Sequence, residues 1–336
     1  MRIAVDANGA DLGPAEVAEA AAIAALQGVT PVLFGPADAF GDIADGVEVV
    51  DAPISIAKAA DPARAVRSTP EASIVQAARA VGSGDCAALV SGGSTGAALA
   101  ASLFHVKRDR GIFRPALALP VPVPGAPVTL VDVGANVEVR AEHLLQFAHM
   151  GAALAQVVLG VAAPRVGLLS VGEEPTKGTA LVQEAHALLA ASAGLDFVGN
   201  VEGNDLTAGV ADVVVTDGFT GNVAIKLMEG VSQAVIGAIR ARATSSPRAK
   251  AGGLLLRPAL RGLRDEIDPE GPGGAYLLGL RRLGVVPHGR FTRYGISQAI
   301  LLAARGASGD VVGRTHAALD AAGALRSGPA ATVADA

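Results

Sequence analysis

Four junctions in the chain place glycine where an apolar run hands over to a helical one, and each carries side chains able to bind or polarise a ligand. The clearest is Ser91-Gly92-Gly93-Ser94-Thr95-Gly96-Ala97, which follows the apolar run ending at Val90. Glycines there let the backbone approach a ligand closely. The free N–H groups of a first helical turn then point at it, together with the positive end of the dipole. That makes an anion site, although it matches neither Gly-x-Gly-x-x-Gly nor the P-loop. The alternative is a tight turn in which Ser94 or Thr95 caps a helix. In Asp6-Ala7-Asn8-Gly9-Ala10-Asp11-Leu12-Gly13-Pro14, two carboxylates orient basic partners or cap a helix, and Pro14 suits a first helical turn. The third junction, Asp132-Val133-Gly134-Ala135-Asn136, positions a polar ligand by hydrogen bonds or stabilises a turn. In the fourth, Thr216-Asp217-Gly218-Phe219-Thr220-Gly221-Asn222-Val223-Ala224-Ile225-Lys226, Asn222 and Lys226 share one helix face. They form an acceptor-polarising pair, or else Lys226 is a solvated surface charge. Between these junctions lies a charged loop, Gly172-Glu173-Glu174-Pro175-Thr176-Lys177-Gly178, and His288-Gly289 follows an apolar run. A lone His is more often structural than catalytic.

Scarce residue types mark further positions. The chain has 22 Arg but only five Lys (Lys58, Lys107, Lys177, Lys226, Lys250), so a retained Lys points to a place where Arg would not serve. All five Asn (Asn8, Asn136, Asn200, Asn204, Asn222) lie within two residues of a Gly. Their shared tolerance of positive φ explains part of that pairing. The single cysteine, Cys86, precedes Ala87-Ala88-Leu89-Val90 and reads as a buried strand thiol, with no partner for an intrachain disulfide, which suits a reducing cytosol. No His-Glu-x-x-His or Cys-x-x-Cys occurs, so neither a metal nor a cofactor is expected.

The elements that must position these groups alternate along the chain. Short apolar runs (Ile3–Val5, Val32–Phe34, Ala87–Val90, Val128–Val131, Val166–Val171, Asp212–Val215) are separated by Ala-rich helical stretches (15–26, 71–81, 97–104, 142–159, 179–191, 222–240). The pattern predicts an α/β protein with a mostly parallel sheet covered by helices on both faces, and ligands beyond the carboxyl ends of the strands. Arg114 to Pro127, with prolines at 115, 120, 122, 124 and 127, breaks the rhythm and reads as an extended crossing or an edge strand. Leu144 to Ala163 is long enough to span a bilayer, but Gln146, His149 and Gln156 at helical spacing favour a core or subunit-interface helix. Ile3–Val5 stops at Asp6, so no secretory signal is expected.

The 336 residues suffice for one large α/β unit, expected over 1–322, with 323–336 a flexible tail. With 51% apolar and 18% charged residues the chain is not disordered, while 3% aromatics, no Trp and a net charge of -5 argue against a nucleic-acid partner. From Gly230 to Arg264 there are seven basic residues and no acid, so the remainder carries -12. Leu256, Leu260 and Leu263 align beside Arg257, Arg261 and Arg264, giving a basic amphipathic helical segment at about 230–266 that fits an anionic bilayer, an acidic protein or a dimer interface.

Taken together, these junctions resemble the bacterial phosphate acyltransferase family of phospholipid synthesis, PlsX, from about Arg2 to about Arg305. Its motifs stand in order: Asp6 to Pro14, Ser91 to Ala97, Asp132 to Asn136 with Gln146-Phe147-Ala148, Gly172 to Gly178, Gly199-Asn200-Val201-Glu202-Gly203, Asp217 to Gly230 and His288-Gly289. Asn8 and Ala10 stand where that family usually has Met and Gly. The resemblance implies a two-lobed fold similar to isocitrate and isopropylmalate dehydrogenases and phosphotransacetylases, in a homodimer. It further implies transfer of a long fatty acyl group from acyl carrier protein to inorganic phosphate, supplying acyl phosphate to a membrane glycerol-3-phosphate acyltransferase. The enzyme is then expected to be cytoplasmic and peripherally membrane-associated.

Phosphate is already a nucleophile, so the chemistry needs anion binding, alignment and stabilisation of developing charge rather than a Ser or Cys nucleophile. The N–H groups around Gly93 to Gly96, with Lys177 or Lys226, are expected to hold phosphate. Asn222 would orient the acyl carbonyl and His288 would serve the leaving thiolate. Asp6, Asn8, Gly9, Ser91, Ser94, Thr95, Asp132, Asn136, Glu173, Glu202 and Asp217 complete the expected substrate-binding set, and Arg257, Arg261 and Arg264 the docking set. Two rival readings are a NAD-dependent hydroxy-acid dehydrogenase of the same fold, which lacks a dinucleotide fingerprint here, and a non-catalytic carrier-protein or lipid adaptor.

Overall fold

The computed structural model describes residues 1–326. Strands and helices alternate first as β1 (Arg2–Asp6), α1 (Pro14–Ala25), β2 (Thr30–Gly35), β3 (Glu48–Asp51), α2 (Pro62–Ser68), α3 (Ser73–Ser83), β4 (Ala88–Ser91), α4 (Thr95–Ala101), β5 (Ala116–Val121), β6 (Val128–Val131) and α5 (Ala141–Leu154). There follow β7 (Arg165–Leu169), α6 (Ala180–Ala190), β8 (Asp196–Val201), β9 (Val213–Val215), α7 (Gly218–Ala243), α8 (Pro247–Glu266), β10 (Ala275–Leu278), β11 (Leu283–Val286), α9 (Arg293–Ser308) and α10 (Val311–Ala321).

Eleven strands form one sheet in the order β3-β2-β1-β4-β11-β10-β5-β6-β9-β7-β8. The strands from β3 to β11 are mutually parallel, as are those from β6 to β8. Between them β10 and β5 pair antiparallel to each other and to their outer neighbours. The two halves therefore run in opposite directions, and they are staggered so that the carboxyl ends of β4 and β6 lie at one level of the sheet, Val90 and Val131 being linked through Val285, Tyr276 and Ala118.

Alternation along each strand feeds both faces. Ile3 and Val5 of β1 and Ala88 and Val90 of β4 join the cluster under α1, α5 and α9, whereas Ala4 and Leu89 join the cluster under α3 and α4. In the second half Val213 and Val215 face α5, and Val214 packs with Val128, Leu130 and Ile225 of α7. Both faces of the parallel strands are thus covered, as the near-continuous apolar runs predict. Cys86 lies buried just ahead of β4, and burial pushes its thiol up.

Two expectations are refined in detail. Of the two readings of the proline-rich stretch, the extended crossing holds and the edge strand does not: β5 is interior, crossing between the two halves. Pro120 is tolerated there because β10 pairs only with Ala116, Leu117 and Ala118, so the missing N–H faces no neighbour on that side. The tail is not loose from residue 323, because Gln146 donates to Ala324 O at 2.8 Å and Arg326 N–H to Gly111 O at 2.8 Å. Positions 327–336 lie outside the described residues.

The membrane-length stretch is core helix. In α5, Gln146 is buried and bonded to the loop at 111–113, and buried His149 meets Ser192 Oγ at 3.0 Å. Burial pulls the His149 imidazole down to about 4. Among the described residues no helix is long and apolar enough to cross a membrane.

Candidate functional site

The first cluster forms where β1 and β4 end, at the point where the connections from neighbouring strands leave in opposite directions. Asp6 is buried there and accepts hydrogen bonds from Ser73 Oγ at 2.6 Å and Ser91 Oγ at 2.8 Å. Burial raises its carboxyl above the usual range, against the pull of the two serines. Ser91 Oγ in turn accepts from Gly93 N–H at 3.3 Å, which fixes the glycine turn. Gly9 and Gly93 meet backbone to backbone: a Cβ on Gly9 would lie 2.6 Å from Gly93 Cα, so only glycine fits at that crossing. Asn8 is tied down on its far side, donating to Pro53 O at 2.9 Å while its carbonyl accepts from Ser55 Oγ at 2.7 Å.

Ser94 is the cap of α4, its Oγ accepting Ala97 N–H at 3.1 Å. Among the described residues the N–H groups of Thr95 and Gly96 have no acceptor, and both residues are exposed. The capping alternative for Ser94 and the anion-site reading are therefore compatible. A loop from β11 closes the cluster, with Asp11 N–H donating to Gly289 O at 2.8 Å. His288 is exposed beside it and its Nδ1 accepts Arg290 N–H at 3.2 Å. That assignment leaves the proton on Nε2, facing away from the loop backbone.

The second cluster forms where β6 and β9 end. Asp132 is fully buried and accepts five hydrogen bonds: from Leu117, Gly134 and Ala135 N–H on Oδ1, and from Asn136 N–H and Nδ2 on Oδ2. Burial raises this carboxyl too, while the N–H donors oppose the shift. Asn136 also donates to Pro115 O at 2.7 Å, so both residues are committed to shaping the turn. The turn packs directly on the start of α7. A Cβ on Gly221 would come 1.9 Å from Asp132 O, and one on Gly218 would come 2.7 Å from Asn136 O.

Asp217 caps α7, accepting from Thr220 N–H at 2.8 Å and Thr220 Oγ1 at 2.7 Å. Asn222 is exposed one turn further and sits against Gly134. Lys226, also exposed, pairs with Glu229 at 3.0 Å. In the neighbouring loop Asn200 Nδ2 donates to Glu174 O at 2.9 Å and Asn200 Oδ1 meets His186 Nδ1 at 3.0 Å, holding the exposed Glu173, Glu174 and Lys177 over the end of β7. Glu202, half-buried, uses its backbone N–H on Asp205.

The structure thus brings Asp6, Asn8, Gly9, Ser91, Gly93, Ser94, Thr95, Gly96 and His288 to the carboxyl ends of β1 and β4, and Asp132, Asn136, Asp217, Asn222 and Lys226 to those of β6 and β9, and the register from Val90 through Val285, Tyr276 and Ala118 to Val131 sets the two strand ends at one level of the sheet. Among the described residues no hydrogen bond or ion pair joins Lys177 or Lys226 to the start of α4, and Lys226 pairs with Glu229 instead. What links the clusters is packing: Val133 and Ala135 of the second rest against the apolar cluster that contains Leu99, Leu103 and Phe104 along the α4 run. Sequence reasoning missed Ser73, 67 residues from its partner Asp6, and nothing local marks it.

The α7–α8 hairpin differs in kind. Helix α8 has no buried residue, and α7 buries only Gly218, Gly221 and Ile225. Val231, Val235, Ile236, Ile239, Leu254, Leu255, Leu256 and Leu263 are exposed. Leu260 and Ile267 join Ile236, Ile239 and Leu254 in a groove of about 510 Å³ that Arg240, Lys250, Arg257, Arg261 and Arg264 also line.

A family described as "Fatty acid synthesis protein" matches residues 1–314. The chain is 42% identical over 315 residues to the phosphate acyltransferase of Elusimicrobium minutum, covering 91% of this chain and 92% of that protein. It is 44% identical over 310 residues to that of Thermobifida fusca, covering 90% and 86%. The fold is similar to a phosphotransacetylase from Streptococcus pyogenes, with TM-score 0.64 at 16% identity over 92% of this chain and 94% of that one. It is similar also to a 4-hydroxythreonine-4-phosphate dehydrogenase from Klebsiella pneumoniae, with TM-score 0.51 at 16% identity over 91% and 99%.

Proposed function

The chain belongs to the phosphate acyltransferase (PlsX) family and is an acyltransferase, and from that premise we propose that it transfers a long fatty acyl group from an acyl carrier protein thioester to inorganic phosphate. A phosphate oxygen bonds to the acyl carbon, the C–S bond breaks, and acyl phosphate and the carrier thiol leave. The observation that carries this reading is the first cluster. It offers a glycine crossing and unpartnered N–H groups at a helix start, which together make an anion seat.

In this reading the N–H groups at Gly93 to Gly96 hold phosphate. Asn222, whose amide is exposed, orients the acyl carbonyl and donates to the oxygen on which charge develops. Lys226 or Lys177 supplies a mobile cation, Lys226 by exchanging Glu229 for the substrate. The Nε2–H of His288 donates to the departing thiolate, whose ordinary pKa of about 8.5 lets it leave without full protonation. The buried Asp6, Asp132 and Asn136 shape the turns that present these groups. A carrier thioester incubated with phosphate should yield acyl phosphate and free thiol in equal amounts. Thiol release independent of phosphate would overturn the reading, and dependence on a nicotinamide cofactor would favour the dehydrogenase alternative.

The hairpin supports the wider assignment to phospholipid synthesis, in which the product passes to a membrane glycerol-3-phosphate acyltransferase. Its exposed leucines and flanking arginines suit an anionic membrane surface, an acidic carrier protein or the same hairpin of a homodimer partner. Replacing Arg257, Arg261 and Arg264 with Gln should lower flotation with anionic liposomes, by about 1 kcal/mol per charge that reaches the surface. Undiminished flotation would count against membrane docking.

A further inference from the structure

Three cations surround a pocket that the acyl-transfer reading leaves unused. Lys107 ends the wider helical turn Ser102–Val106 that continues α4, and Arg281 and Arg282 lie in the turn between β10 and β11. With Gly82, His105 and Val106 they line a cavity of about 320 Å³. It lies at the amino-terminal ends of β4 and β11, where Ala88 pairs with Leu283, and so at the opposite end of those strands from Ser91 and His288.

Backbone pairing holds the cations together. Arg281 N–H donates to Lys107 O at 3.0 Å, Asp109 N–H donates to Gly279 O at 3.1 Å, and Arg108 bridges antiparallel to Leu280 between them. Like charges fixed on paired segments repel, which destabilises the fold unless a counter-ion offsets it. Among the described residues no carboxylate pairs with Lys107, Arg281 or Arg282. Asp85 accepts from Ser83 Oγ at 2.7 Å and forms no ion pair with these three cations. Burial holds the His105 imidazole below its usual range, and the positive charge of Arg79 adds to the shift.

An independent observation concerns the backbone. Lys107 has φ 71° and ψ 156°, a region that glycine occupies readily and side chains avoid. A strained lysine persists in a chain that has 42 Gly and only five Lys. The floor of the pocket is bare for a reason as well. A Cβ on Gly82 would come 2.2 Å from His105 O, and one on Gly84 would come 3.1 Å from Arg282 Nη2. The end of α3 brings only about half a negative charge from its carbonyls, less than the cations supply.

We propose that Lys107, Arg281 and Arg282 form a second anion site, separate from the acyl-transfer site, which takes a small soluble phosphorylated compound. Guanidinium forks match phosphate oxygens two at a time and the lysine adds a point charge. The volume is at the lower end of ligand pockets, about 300–1,000 Å³, and fits a diphosphate or a phosphomonoester with a small organic group.

Calorimetric titration of the full chain with pyrophosphate tests the site, comparing wild type with the Arg281→Gln/Arg282→Gln variant. All three cations are exposed, so the variant should fold, and pyrophosphate binding at the α4 seat is common to both proteins and cancels. The variant is expected to lose one binding equivalent, or to bind it about tenfold or more weakly. Equal stoichiometry and affinity in the two proteins would overturn the site. Lys107→Gly should weaken binding while raising the Tm of the unliganded protein, because glycine relaxes the backbone. A lowered Tm with unchanged binding would remove Lys107 from the site. A flat pyrophosphate titration, with variant-sensitive binding to phosphatidic acid vesicles, would overturn a soluble ligand in favour of a lipid headgroup.

Discussion

Asp6 and Asp132 hold corresponding places in the two half-sheets, each buried at a strand end beside a glycine turn, yet their partners differ in chemistry. Asp6 is met by the hydroxyls of Ser73 and Ser91, groups that donate or accept as required, and by a single backbone donor, Asn8 N–H at 3.4 Å. Asp132 is met by four backbone N–H groups and the Asn136 amide, which only donate. Burial raises both carboxyl groups, but the consequence of neutralising them differs. The first site can accept a neutral side chain by turning two hydroxyls, whereas the second is built round an acceptor with no donor of its own. Equal burial therefore does not make equal dependence on charge.

The sharpest way to break this comparison is to neutralise each carboxylate in turn. Asp132→Asn points an amide NH₂ at N–H donors whichever way the amide is turned, and should cost about 3 kcal/mol or more in urea denaturation. A loss under 1 kcal/mol would mean that the turn re-forms around a neutral residue and that the two sites are equivalent after all.

Next in size are the exposed groups above the two clusters. Lys226→Ala should lower kcat/KM at limiting phosphate by about 10- to 100-fold, the worth of one charge-assisted hydrogen bond, with Tm unchanged. Normal kinetics at limiting phosphate would take Lys226 out of the reaction. His288 belongs to the other cluster, so the Lys226→Ala/His288→Ala double variant asks whether the two clusters serve one reaction. Losses from groups acting on the same reacting atoms should fall short of additive. Strict additivity would count against a shared reaction step.

The smallest effect is expected at Asp6. Asp6→Asn should change stability by about 1 kcal/mol or less at pH 5. Its raised carboxyl makes the folded wild type hold a proton that the unfolded chain has released above about pH 3.9, so this stability contribution falls as pH rises through the folded value. The variant lacks that contribution, and its stability relative to wild type should improve as pH rises above about 3.9. A difference that is flat or of opposite sign across that range would show that Asp6 ionises freely in the fold.

Much of the first cluster was legible because it is local. Ser91 to Ala97 carries its glycine turn, its Ser94 cap and its helix start in seven consecutive residues. The same holds for Asp217, whose cap on Thr220 lies three residues away. The proline-rich stretch was legible as extended but not as interior, because its neighbours β10 and β6 come from residues 275–278 and 128–131. The polar positions of α5 were visible by their spacing, while their burial depended on loops at 111–113 and 324 that periodicity cannot place.

By itself the sequence determined the alternation of strand and helix, the glycine junctions, the basic segment and the family resemblance, since each is written in neighbouring residues and in their order. Only the tertiary structure decided that the two half-sheets run in opposite directions, that Ser73 lies under Asp6, that the hairpin leaves its leucines exposed, and that Lys107 stands beside Arg281. Those facts depend on which distant segments pair. Pairing is settled by burying both faces of every strand at once, a condition that no single stretch of sequence carries.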